Sequence, residues 1–365
     1  MFNSIVRTLI YGSALSMLFV DNKVYLALAV SAIFILGSVA PVLASSFTFT
    51  KVGVSSDTVS TILAALNDRN QVVGYYSYAP QYYKGFLYSS GHFSTIQFPD
   101  AISTWPVSIN NHGQIVGYYM KTPFDFHGFL YTSGTFRSID FPGANNTRLS
   151  HINDHGEIVG TFLDSANKQH GFVMHSSGAF NKIELPGDPG RVTVSDISNR
   201  GDIVGYFTFF DHTSYHAFIM HRSGNVRTID FPGAQTTFFY GINDRGQIIG
   251  GSADIGSGNG SHCFLYSHGT FRPIKIPGDD GSSCSGINSH GQIVGNYDKN
   301  GDIHGLFYAS GKVSTIDYPS AKWTWLTGIN NHGHLEGIYD NTGTYHGFLV
   351  TMVNEDKEDK NNQGE

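Results

Sequence analysis

The sequence predicts an all-β fold: a seven-bladed β-propeller of four-stranded blades, closed by an N-terminal strand that completes the last blade. Three observations predict it. A phrase of the form Ile-Asn-x-x-Gly-x-Ile-Val-Gly recurs, as in "INNHGQIVG" at 109–117 and "INDRGQIIG" at 242–250. Its last glycine falls at Gly74, Gly117, Gly160, Gly205, Gly250, Gly295 and Gly337, a spacing of 42 to 45 residues that marks a repeat architecture. Each unit also parses into four short apolar or alternating runs. In the third unit these are "TRLSHI", "EIVGTF", "HGFVMH" and "AFNKIEL", and four strands per unit is one propeller blade. Finally, the seventh unit stops after "HGFLV" at 346–350, while "FTKVGV" at 49–54 supplies the missing fourth-strand pattern with Phe49, Val52 and Val54 in register. Such closure removes the open sheet edges that invite aggregation.

The chain is read in three parts. Residues 1–44 form a leader: Val24–Ala44 carries no charge, follows Lys23, and ends in Val42-Leu43-Ala44 before Ser45, the pattern of a secretion signal. Uncut, the stretch is long enough to span a bilayer, which is the one way a membrane enters the reading. The extra apolar run "TLIYGSALSMLFV" before it fits a translation start at Met17. Residues 45–350 are the propeller. Residues 351–365 are read as a disordered acidic tail, with five acidic and two basic side chains. The expected location is extracellular or the cell surface, periplasmic in a Gram-negative cell, and the expected state is a monomer.

Composition agrees. Glycine (43 residues) and aromatics (14%) are abundant and charged residues scarce (14%), which suits short strands and tight turns rather than exposed helices. The net charge of −7 and the lack of any basic stripe exclude nucleic acid as an expected partner.

The recurring phrase is read as the turn from the first to the second strand. The Asn side chain bonds backbone NH groups two residues on, the first Gly accepts a positive φ, and the Ile and Val that follow are buried between blades. A catalytic motif is not needed seven times. The turn residues His112, His155, His290 and His332 are replaced by Arg69, Arg200 and Arg245 elsewhere, and Arg cannot substitute for a metal-bound imidazole. His127, His170, His216, His262, His304 and His346 open the third strands, with Lys84 in the first unit. They show no carboxylate at ligand-motif spacing and are expected to bond a neighbouring turn. Cys263 and Cys284 fall near the same end of neighbouring blades, where a disulfide is compatible with export but not dictated by spacing.

The alternation of His216-Ala217-Phe218 and its His-Gly-Phe variants at 127, 170 and 346 with the "IN-x-x-G-x-I-V-G" turns resembles the HAF-repeat family of extracellular repeat proteins, over residues 46–350. The resemblance implies export and a repeated β architecture. It carries over no activity, substrate or catalytic residue.

The candidate ligand site is aromatic. Trp105 in "ISTWPVS" and Trp323 with Trp325 in "AKWTWLT" are read as blade-to-blade connections flanking blade one, whose own variable loop "YYSYAPQYYKG" holds Tyr78, Tyr82 and Tyr83. Clustered Tyr and Trp make stacking platforms for sugars or peptides. The leading reading is an exported binding or surface-interaction module for a saccharide or peptide. Two alternatives stay open, a propeller hydrolase or lyase acting on an extracellular polymer and a purely structural surface protein. No catalytic residue, metal or cofactor is assigned. Asp125, Asp164, Asp211, Asp279, Asp280, Asp298 and Asp340 are scattered, and "DKNGD" at 298–302 reads as a hairpin turn rather than a calcium loop. Glu336 stands where other units place Val or Ile, beside His334.

Overall fold

The computed structural model describes residues 13–20, 23–30, 46–53, 59–209, 214–253, 261–341 and 343–353. The chain divides into two units, 46–353 and the remaining ends. In the ends, Ser13–Val20 and Lys23–Val30 pair antiparallel. The apolar stretch Val24–Ala44 therefore begins in a strand. Its cleavage signal, like Val54, Asp211 and the 354–365 tail, lies outside the described residues. No helix among the described residues is long and apolar enough to cross a membrane.

In the main unit the strands group into four-stranded antiparallel meanders, here sheets one to seven. They cover 61–96, 103–139, 146–182, 191–228, 236–273, 281–315, and 323–353 together with 46–52. A single parallel pairing, Gln169 with Arg191, links the third and fourth. Ser46–Val52 pairs antiparallel with Tyr345–Val353 and is the fourth strand of sheet seven, as the "FTKVGV" pattern leads one to expect. That third strand runs to Val353, three residues beyond the limit read from the sequence.

The repeated phrase builds each turn. Asn67 Oδ1 accepts the NH groups of Arg69 and Gln71 (both 3.0 Å), while its Nδ2 donates to Gln71 Oε1 (2.9 Å) and to the carbonyl of Asn110 in the next sheet (3.0 Å). Asn110, Asn153, Asn243, Asn288 and Asn330 repeat the arrangement, and Asn330 reaches the carbonyl of Asn67 at 3.1 Å. One buried amide thus satisfies its own turn and adds a second donor to a carbonyl of its neighbour that already accepts a turn NH, as Asn110 accepts Gly113 (3.0 Å). Sheet four has Ser198 at this position, which accepts only the Asp202 NH (3.2 Å).

Two glycines of the phrase have different reasons. The turn glycines, such as Gly113 and Gly246, sit at φ between 73° and 82°, and Asn70 takes that place at φ 58° in sheet one. The last glycines need room instead. A Cβ at Gly117 would lie 2.0 Å from the Trp105 carbonyl and 2.9 Å from the buried Phe129 ring. The approach is forced by a β-bulge in every first strand, at Ala64, Val107, Ser150, Ser195, Tyr240, Ser285 and Thr327.

The core lies between neighbouring sheets. Val159 and Val173 of sheet three meet Val192, Val194 and Phe218 of sheet four, and Val52, Leu63 and Phe86 meet Ile338 and Leu349 where sheet seven adjoins sheet one. At the recurrent contact a third-strand glycine faces an aliphatic side chain of the next sheet, as Gly128 faces Leu149. Between sheets five and six these two places hold Cys263 and Cys284, both buried and disulfide-bonded with Cα atoms 5.5 Å apart.

Two outcomes test this account. Deleting 46–52 leaves the Tyr345–Val353 edge unpaired, so the chain should melt well below the intact protein and aggregate in thermal scans. Asn243→Ala, which strands the Arg245 and Gln247 NH groups and removes the bond to the Asn288 carbonyl, should cost on the order of 3 kcal/mol in urea unfolding, whereas Ser198→Asn should gain about 1 kcal/mol.

Candidate functional site

Two cavities follow from this arrangement. The first, about 420 Å³, is lined by the ends of the first strands of all seven sheets. The bulged residues, Val107, Ser150, Ser195, Tyr240 and Thr327 among them, line it. The residues after the turn asparagines form a belt across it: Asp68, Asn111, Asp154, Asn199, Asp244, Ser289 and Asn331. Asn111 Nδ2 donates to Asp68 and Asp154 (both 3.0 Å), Asn199 Nδ2 to Asp154 (3.1 Å) and Asp244 (3.0 Å), and Asn331 Nδ2 to Asp68 (2.9 Å). The amide hydrogens of Asn111 and Asn199 are both consumed. The belt is self-satisfied and offers a ligand little.

Glu336 lies in the same wall, fully buried, with neither carboxyl oxygen hydrogen-bonded; the Thr327 hydroxyl is equally unpartnered. A Cβ on Gly328 would meet Glu336 Oε1 at 2.6 Å, so the carboxyl fills the space over that glycine. Burial alone pushes its pKa up to about 8. His334 is not paired with it. The imidazole bonds Asn70 Oδ1, and burial, then His332, hold its pKa down.

The second cavity, about 660 Å³, opens at the other ends of the first strands of sheets three and four. Its wall holds Tyr118, Phe124, Phe126, Arg148, Arg191 and Tyr206, with Asn146, Thr161, Gln169 and Thr193 between them. Arg148 lies over Phe126, 3.7 Å from the ring centre, and 5.5 Å from that of Tyr118. Phe124 is 82% exposed and holds φ 68°, a strained conformation for a bulky residue. The volume falls within the range of small-molecule and oligomer sites.

The aromatic residues singled out from the sequence divide into two groups. Trp105 is not in a connection: it lies in the first strand Ser103–Ile109, is 9% exposed, and packs on Tyr118 (5.2 Å), Tyr83 (5.8 Å) and Phe126 (6.0 Å). It is a strut behind the second cavity. Tyr83 also meets Tyr75, whose hydroxyl is pushed up to about 12 by burial, then by Tyr118 and Tyr83. Trp323 and Trp325 likewise lie in a strand, Trp323–Ile329, and contact each other (6.1 Å), with Tyr345 against Trp325 (5.8 Å). They form a separate set of ring contacts. Tyr78 and Tyr82 flank a two-residue turn between Val72–Ala79 and Tyr82–Ser89 rather than a long loop. Tyr78, 46% exposed, bonds the Ile102 carbonyl at 2.8 Å.

Sequence reasoning missed Tyr118, Phe124, Phe126, Arg148 and Arg191. A signal existed. The place one before the inward apolar residue of each first strand (Leu63, Pro106, Leu149, Val194, Phe239, Cys284, Leu326) reads Ile62, Trp105, Arg148, Thr193, Phe238, Ser283 and Trp325, ranging from aromatic to charged beside a neighbour that is always apolar.

The third-strand histidines differ from expectation in their partners. Four of them bond aspartate carboxylates: His216 with Asp230 and His304 with Asp317 (both 2.8 Å), His127 with Asp140 (3.1 Å), and His170 with Asp164 of the adjacent turn (2.8 Å). Most of these aspartates end the fourth strand, 13 or 14 residues on, too far to read as a motif. Each ring also stacks on a second-strand aromatic, as His304 does on Tyr297 (5.2 Å). The scattered acids cap turns. Asp298 Oδ1 accepts the Gly301 NH (3.0 Å) in a plain hairpin, and Asp164 Oδ1 accepts the Ala166 and Lys168 NH groups. Among the described residues no three His, Cys, Asp or Glu side chains group as a metal-ligand set.

No protein-family model and no curated protein matches the sequence. Solved structures match in fold. The chain is 14% identical to virginiamycin B lyase from Staphylococcus aureus, covering 84% of this chain and 100% of that one with a TM-score of 0.53. It is 14% identical to a prolyl endopeptidase (81% and 50% covered, TM-score 0.58) and 11% identical to an acylaminoacyl peptidase from Pyrococcus horikoshii (81% and 52%, TM-score 0.56). The chain thus spans about half the length of the two peptidases. These likenesses show the fold alone: all-β, propeller-like, built of repeated four-stranded sheets.

Glu336 gives a pH prediction. Its carboxyl titrates near 4.5 when unfolded and about 8 when folded, so the native state keeps a proton that the unfolded state loses between those values. Stability should therefore fall as pH rises through that window, by up to about 5 kcal/mol, and level off above it. Glu336→Val, the residue of most other sheets, should abolish this component and raise the melting temperature at pH 8. Equal pH slopes for variant and parent in urea unfolding would contradict the assignment.

Proposed function

We propose that the seven sheets are the blades of one closed propeller, and that the chain is an exported, monomeric binding module whose ligand, a saccharide or a peptide, seats in the cleft between sheets two and four. One observation carries the binding reading: this cleft combines aromatic side chains with unspent amide, hydroxyl and guanidinium groups, whereas the opposite cavity is bonded to itself. Closure is supported by the cavity that all seven sheets line and by the bonds from Asn330 and Asn331 back to Asn67 and Asp68. Export is supported by the leader pattern, by the HAF-repeat resemblance and by the Cys263–Cys284 disulfide, a bond that persists in oxidising compartments. The reading invokes no catalytic residue and no cofactor.

A glycan and peptide array with the purified chain, followed by variants, tests the site. Phe124→Ala removes an exposed ring and should weaken binding about ten- to a hundredfold while leaving the melting temperature within a few degrees. Trp105→Ala removes a buried strut and should cost about 3–5 kcal/mol of stability. Trp325→Ala should leave affinity unchanged. Loss of binding in Trp325→Ala with none in Phe124→Ala would move the site to sheet seven.

A further inference from the structure

The cleft has a charge pattern that narrows its ligand. The chain carries 29 acidic against 22 basic residues, yet no Asp or Glu lines this cavity, while Arg148 and Arg191 do. Both are exposed and, among the described residues, neither is ion-paired. Two uncompensated guanidiniums on an acidic protein are a local positive potential aimed at an anion. Arg148 is also pre-positioned, because its plane rests on Phe126 and beside Tyr118. A guanidinium fixed in this way binds a carboxylate through two parallel NH donors at reduced entropic cost.

The other groups favour a sugar. The carbonyl oxygen of Asn146 accepts the Phe126 NH (2.7 Å), which leaves its amide hydrogens for a ligand. Gln169 Nε2 is bonded to the Val192 carbonyl (2.7 Å), which leaves its oxygen as an acceptor. With the Thr161 and Thr193 hydroxyls, the wall alternates donors and acceptors at side-chain level, as vicinal hydroxyls require. Phe124 and Tyr206 supply apolar faces for the C–H side of a pyranose ring.

We infer that the cleft binds an acidic saccharide, a uronate-containing oligomer whose carboxylate is held by Arg148 and Arg191. This rests on the cleft being the ligand site.

The experiment is calorimetric titration of the full chain with short oligomers of galacturonate, glucuronate, mannuronate and guluronate, with their methyl esters, and with peptides ending in a free carboxylate or an amide. At least one acidic oligomer should bind, its ester at least about tenfold more weakly, and added salt should weaken the acid form. Arg148→Gln and Arg191→Gln should each lose about tenfold or more for the acid and little for the ester, with unchanged melting temperatures. Equal affinity for acid and ester, or full affinity in both Arg variants, overturns the inference. If Phe124→Ala still weakens binding in that case, the cleft remains the site and only the acidic ligand class fails. Binding of peptides alone, or of no oligomer in the panel, also overturns it.

Discussion

In six of the seven turns a single asparagine amide holds two sheets at once, and most of the structure depends on that double duty. The side chain must reach two NH groups of its own turn and a carbonyl of the next sheet, so successive first strands are brought edge to edge at one end. Within each sheet the first-strand bulge brings a carbonyl of that strand onto the second strand and leaves no room there for a Cβ, hence the recurrent last glycine. The same bulge turns one side chain per sheet toward the shared cavity. The histidine–aspartate–aromatic stacks at the opposite end hold the outer strands apart from this crowding.

The repeat made the fold legible, because a period of 42 to 45 residues with two alternating phrases has few solutions. The candidate site was legible only in kind. Aromatic residues do cluster, but Trp105, read as part of a connection, lies in a strand next to Pro106, a residue that strand interiors disfavour. Pro106 in fact sits at the bulge, where a first-strand aliphatic normally packs, and faces Gly85 of sheet one. The cleft itself could not be read locally. Phe126 and Arg148 are 22 residues apart and belong to different sheets, and each looks like an ordinary alternating-strand residue. The belt hid in the same way: Asp, Asn or Ser after the turn asparagine passes for free variation until residues about 43 apart are known to touch.

The two ends of the first strands therefore carry different chemistry. At the turn end nearly every polar group is bonded to the protein, so substitution there acts through folding. At the other end, guanidiniums, hydroxyls and amides face a cavity with their bonding capacity unspent, on walls whose identity changes from sheet to sheet. A scaffold that satisfies itself on one face is free to vary the other, which is why the binding reading rests on the variable end.

The belt also meets a limit of arithmetic. Acid and amide alternate well because each amide carries two hydrogens and each carboxylate accepts from both sides, but seven positions cannot alternate without a fault. The fault lies between Asp244 and Ser289, where among the described residues no hydrogen bond joins sheets five and six through the belt, although Asn243 still reaches the Asn288 carbonyl. The Cys263–Cys284 disulfide crosses this same junction. The other weak junction follows Ser198, which lacks the amide that other turns extend to the next sheet. There Asp196 donates nothing but accepts the Ile242 NH of sheet five at 2.9 Å, a bond from a position that is glycine in three other sheets. Each of these two junctions, where a common interaction is missing, carries another bond: the disulfide at one and the Asp196–Ile242 bond at the other, the latter with a longer counterpart from Ser108 to the Ile152 NH (3.4 Å). The exceptions in the repeat thus read as compensation at the junctions rather than as drift, since a row of like units is only as stable as its weakest contact.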